Sequence, residues 1–97
     1  MKICTDITEV RNEIDRIDDE IVKLIAERGN YVRQAAKFKK GTEDVKAPSR
    51  VEKVITGVRQ KAVSYGADVE VTVAVYKAMI NGFIRCEIKE FNRKQVT

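Results

Sequence analysis

Along the first third of the chain, apolar residues recur with alternating steps of three and four: Ile7, Val10, Ile14, Ile17, Ile21, Leu24, then Arg28, Tyr31, Ala35 and Phe38. This spacing is a heptad seam, the buried stripe of a helix that packs against other helices. Asp6 is the expected N-cap, and the pattern runs without proline to about Lys39. A helix of roughly 33 residues would be about 50 Å long, against roughly 30 Å for the diameter of a small domain. The remaining chain cannot cover such a seam alone.

The run KGTEDVKAP, residues 40–48, reads as a loop that ends in the only proline of the chain. Pro48 suits the first turn of a second helix, where its missing N–H would be unpaired in any case. That helix presents Val51, Val54, Ile55, Val58 and Ala62 on one face and stops near Gly66, a left-handed terminator. Asp68 then caps a third helix with the stripe Val69, Val73, Tyr76, Ile80, Phe83, Glu87 and Phe91. VEVTVAVY resembles a strand when read alone, but the stripe continues at helical spacing through Phe91. The pattern predicts an all-α protein of three helices, long, short and long, in one domain over residues 1–97. Two chains are expected to intertwine as a homodimer through their first helices.

Composition narrows the chemistry more than the fold. The chain has 43% hydrophobic and 35% charged residues, which is a globular balance. No apolar leader follows MKICTDITEV, and no apolar run reaches bilayer length, so a cytoplasmic, membrane-free setting is expected. Cys4 and Cys86 stand apart without metal-ligand spacing and read as reduced thiols. With no His and no Trp, histidine proton transfer, Ser-His-Asp triads and most zinc sites are removed, and no glycine-rich phosphate loop is present. Neither a metal nor a cofactor is expected.

Charge is unevenly placed. Residues 1–27 hold eight acids and four bases, while residues 28–97 hold seven acids and fifteen bases. Acids early and KFKK late in the first helix both oppose its dipole. Basic residues without interleaved aromatics or a recognisable motif argue against a nucleic-acid partner.

Two seam positions are polar. Arg28 places a permanent cation in the first stripe, and Glu87 places a carboxylate in the last. Both are unfavourable unless an opposite charge meets them. Pairing of Arg28 with Glu87 as a structural bridge is one reading. The other takes in Lys39, eleven residues beyond Arg28 and close to the same helical face, and Arg50 at the start of the second helix. Three long cations with Glu87 as the one acid in the set would suit a small dicarboxylate in a mostly apolar cleft. Arg11 lies about 25 Å from Arg28 along the helix axis, so only a partner subunit's Arg11 could join that site. A solvated Arg11 beside Asp15 is the alternative. Gly29 would admit a close approach beside Arg28, most simply from a neighbouring helix.

The segments VRNEIDRIDDEIVKLIAERGNYVRQAAKFK, APSRVEKV and YKAMINGFIRCEIKEF resemble the all-helical, intertwined-dimer chorismate mutases and their relatives, the isochorismate-pyruvate lyases. The likeness covers residues 6–93. It implies that Arg28 and Arg50 bind substrate carboxylates, joined by Arg11 of the partner subunit. It further implies that Lys39 contacts the ether oxygen and a carboxylate, and that a protonated Glu87 supplies the second contact to that oxygen. The implied reaction is the rearrangement of chorismate to prephenate, with no cofactor.

Some positions depart from the mutase pattern. Ala47 and Val51 stand where mutases usually offer carboxylates to the ring hydroxyl, with Ser49 and Glu52 nearby, and Phe83 replaces a small polar residue. APSRV looks more like the lyase branch, which cleaves isochorismate to salicylate and pyruvate. That branch usually carries Gln, not Glu, at position 87. The order of expectation is mutase, then lyase, then a helical binding module without turnover.

Overall fold

The computed structural model describes residues 1–96, with side chains through residue 93. Four helices follow in order: α1 (Ile7–Ala36), α2 (Thr42–Lys46), α3 (Pro48–Tyr65) and α4 (Val69–Val96). There is no strand among the described residues. The chain divides into two compact units, Met1–Val32 and Arg33–Thr97.

In the first unit, Asp6 caps α1 as its sequence predicts: Oδ1 accepts the Glu9 N–H at 2.8 Å. Glu9 reaches back in turn to accept the Thr5 N–H at 3.0 Å, so two amides at the helix start are satisfied reciprocally. Ion pairs Arg16–Glu13, Arg16–Glu20 and Lys23–Asp19 run along the polar side at i,i+3 or i,i+4 spacing. Each is largely solvent-accessible and adds ~0.3–0.5 kcal/mol at most. The apolar seam is another matter. Ile7, Val10, Ile14, Ile17, Ile21 and Leu24 all remain exposed in the single chain, from 38% at Val10 to 62% at Leu24.

The second unit holds the core. Helix α3 packs on α4, and α2 also lies against α4. The predicted α4 stripe faces inward throughout: Val73, Ile80 and Glu87 are buried, and Val69, Tyr76, Phe83 and Phe91 are half-buried. Val58 and Ala62 are the buried members of the α3 stripe, with Val51, Val54 and Ile55 half-buried. The α3–α4 connection is set by local chemistry. Gly66 adopts φ 72, ψ 24, its N–H bonds to the Val63 carbonyl, and the Ala67 N–H bonds to the Ala62 carbonyl at 2.8 Å. Those two bonds form a Schellman closure, which a residue with a Cβ would resist. Asp68 then caps α4, accepting the Val71 N–H at 3.0 Å, while the Thr72 hydroxyl donates to the Asp68 carbonyl at 2.7 Å.

Two details differ from the sequence-based expectation. Helix α1 stops at Ala36 rather than Lys39, and the amides of Lys37, Phe38 and Lys39 bond to the carbonyls of Gln34, Ala35 and Ala36. Such i→i+3 bonds tighten a helix end and satisfy carbonyls that would otherwise be orphaned. The KGTEDVKAP run is not a plain loop, since Thr42–Lys46 forms one helical turn. Asp44 accepts the Lys40 N–H at 3.0 Å at its start, and Val45, 3% exposed, anchors it in the core.

Candidate active site

Lys39 and Glu87 reach one point from opposite ends of the second unit's sequence. The tightened turn after α1 carries Lys39 away from helical register, so its position is set by that turn and not by the face of α1 that the seam pattern suggested. Glu87 is held as the third member of the buried series Val73, Ile80, Glu87 on α4, spaced by seven residues. The Lys39 Nζ donates to the Glu87 Oε2 at 3.2 Å. The side chains are only 22% and 7% exposed, respectively.

A contact of this kind differs physically from the exposed pairs on α1. A carboxylate withdrawn from water is unfavourable unless a cation or donor meets it, and screening by solvent and salt is weak there. The pair therefore holds the Lys39 stem in one place and presents an ammonium and a carboxyl together in a partly desolvated spot. A bound molecule would meet both groups. One could supply positive charge, and the other could act as acceptor when ionised or donor when protonated.

The other predicted positions are placed as follows. Arg50 lies in the first turn of α3, two residues after Pro48, and is exposed. Arg28 is half-buried on α1 and engaged in an interaction of its own, next to the buried Gly29. Arg11 is exposed on the same helix, about 25 Å away along its axis by helical rise. Lys39, Arg50 and Glu87 thus belong to the second unit, and Arg11 and Arg28 to the first. Among the described residues, no group of three or more His, Cys, Asp or Glu side chains could hold a metal ion. No helix of the described residues is long and apolar enough to cross a membrane.

One feature at this end of the molecule was not read from the sequence. Ala47, between α2 and α3, sits at φ 38, ψ 60, the only positive-φ residue other than glycine among those described. The available signal was Pro48, because the residue before a proline is disfavoured in the right-handed helical region.

A part-buried lysine–carboxylate pair, with Arg11, Arg28 and Arg50 at α-helical positions, gives an all-helical chain a set of charges suited to an anionic ligand. The chain belongs to the chorismate mutase type II family, whose sequence model matches residues 10–88. It is similar to the isochorismate pyruvate lyase of Pseudomonas aeruginosa, with 31% identity over 86 residues, covering 89% of this chain and 85% of that protein. It is also similar to the chorismate mutase of Methanocaldococcus jannaschii, with 27% identity over 75 residues and 76% of each chain covered.

Proposed function

We propose that this protein is a cytoplasmic chorismate mutase. It works as a homodimer with shared active sites and a single domain over residues 1–97. The observation that carries the reading is the Lys39–Glu87 pair at 3.2 Å, a cation and a carboxyl held together where water is largely excluded. Family membership supplies the substrate class.

The chemistry suits so sparse an inventory. In the Claisen rearrangement one C–O bond breaks and one C–C bond forms around a six-membered ring of electrons, with no proton transferred to or from the protein. The catalyst must hold the folded, diaxial conformer and stabilise charge that develops on the ether oxygen. Arg28 and Arg50, with Arg11 of the partner subunit, clamp the two carboxylates. Lys39 places its ammonium at the ether oxygen, and protonated Glu87 donates a second hydrogen bond there. No nucleophile, metal or cofactor takes part. The exposed α1 seam supports the dimer, because six large aliphatic residues at heptad spacing need an apolar cover.

A second reading has specific support. The lyase relative shares 31% identity, and APSRV, residues 47–51, resembles the lyase branch. On that reading the same cations bind isochorismate, and C–O cleavage with hydrogen transfer releases salicylate and pyruvate. One experiment separates these readings. Purified protein is incubated with chorismate and, separately, with isochorismate, and prephenate, salicylate and pyruvate are quantified. Prephenate formed faster than salicylate supports the mutase; the reverse assigns the lyase. Loss of neither substrate removes both.

A further inference from the structure

Ala47 closes one helix and opens the next. Its N–H bonds to the Glu43 carbonyl at 3.0 Å, ending α2, and its carbonyl accepts the Val51 N–H at 3.0 Å, starting α3. The two helices are therefore joined through a single residue, and its backbone angles set the direction in which α3 leaves α2. Those angles are left-handed, at φ 38 and ψ 60, a conformation that an L-residue with a Cβ resists. Backbone held in such a region persists only where its surroundings fix it, and here they do so from both sides. Upstream, Val45 is buried against the core and Lys39 is clasped by Glu87. Downstream, Pro48 fixes its own φ and disfavours the right-handed helical region for the residue before it. Arg50 follows three residues after Ala47, in the first turn of α3.

We propose that Ala47 is a positioning residue: its left-handed backbone fixes the course of the first turn of α3, and so fixes where the Arg50 guanidinium can meet a carboxylate of the substrate. This rests on the reading that Arg50 binds substrate. It assigns a role to a residue whose side chain offers no chemistry of its own. A glycine at 47 accepts the same φ without strain but also many others, so the hinge loosens while the fold stays accessible. An asparagine visits the left-handed region more readily than alanine and keeps a side chain that limits the alternatives.

The test compares wild type, Ala47→Gly, Ala47→Asn, Arg50→Ala and the double variant Ala47→Gly/Arg50→Ala. Circular dichroism confirms the helical fold of each. Ala47→Gly is expected to raise KM about three- to tenfold with kcat little changed, as for a misplaced binding group remote from the bond that breaks. Ala47→Asn should keep KM close to wild type. In the Arg50→Ala background, Ala47→Gly should leave kcat/KM unchanged, because the group it positions is gone. An unchanged KM in Ala47→Gly overturns the proposal. So does an equal fall in kcat/KM with and without Arg50, which would show that Ala47 acts through something else. Wild-type protein that consumes neither chorismate nor isochorismate defeats the functional reading, and this inference falls with it. Turnover with additive effects defeats this inference alone.

Discussion

Lys39 and Glu87, separated by 48 residues of chain, meet through Nζ and Oε2 at 3.2 Å, with the carboxylate side chain 7% exposed. The two ends of this contact are held differently. Glu87 sits in the regular register of a long helix, whereas Lys39 lies in a turn built from three successive i→i+3 hydrogen bonds. The carboxyl is therefore a fixed point, and the ammonium is brought to it by a short connection whose own geometry matters.

On the proposed mechanism, replacing Lys39 by Ala removes a cation aimed at charge that exists mainly in the transition state. Turnover of chorismate should fall by about a hundredfold or more while binding of a dicarboxylate ligand weakens less. Steady-state kinetics together with a direct binding measurement check this. Equal losses in both would make Lys39 a carboxylate anchor only.

The seam of α1 predicts assembly. Sedimentation should give two chains per particle, and Ile17→Asp, which puts a charge in the middle of the seam, should lower both association and melting temperature. A folded wild-type monomer at micromolar concentration would defeat the dimer. If Arg11 acts across subunits, mixing Arg11→Ala with Arg28→Ala chains should restore up to about one good site per heterodimer. Heterodimers without recovered activity would count against the shared site.

Asp68→Ala tests the start of α4 independently of function. The Asp68 carboxylate accepts the Val71 N–H, so its removal should lower stability by about 1 kcal/mol, with Asp68→Asn close to wild type. Denaturant unfolding reads the difference. An alanine variant as stable as wild type would mean that water or the remaining backbone contacts satisfy the helix end equally well.

Much of this was legible because periodic burial and cap chemistry are local. The α4 stripe from Val69 to Phe91 faces inward at every predicted position, and Asp6, Pro48, Gly66 and Asp68 mark helix ends where their side chains or backbone freedom require. Helix α2 was hidden, because five residues are too few to show a helical period, and its one buried residue, Val45, has no apolar neighbour in sequence to form a stripe. The end of α1 was misplaced by three residues because Lys37, Phe38 and Lys39 continue the composition of the helix while their hydrogen bonds tighten. Glu87 was recognisable as an anomaly, but whether Lys39 or Arg28 would meet it could not follow from spacing, since the contact with Lys39 depends on that turn.

Glu87 carries the sharpest prediction, because its two protonation states act in opposite directions. Ionised, it binds the Lys39 ammonium, as in the 3.2 Å contact, and repels the negative charge that develops on an ether oxygen beside it. Protonated, it donates a hydrogen bond to that oxygen and leaves Lys39 free to do the same. Glu87→Gln keeps the size of the side chain and provides an N–H donor without a charge. It should keep or raise kcat, whereas Glu87→Ala, which removes charge and donor together, should lower it about tenfold or more. Steady-state kcat of the wild type and both variants at saturating substrate checks this. Equal kcat in the Gln and Ala variants would leave Glu87 as a structural partner of Lys39 and assign the stabilisation of the breaking bond to the cations alone.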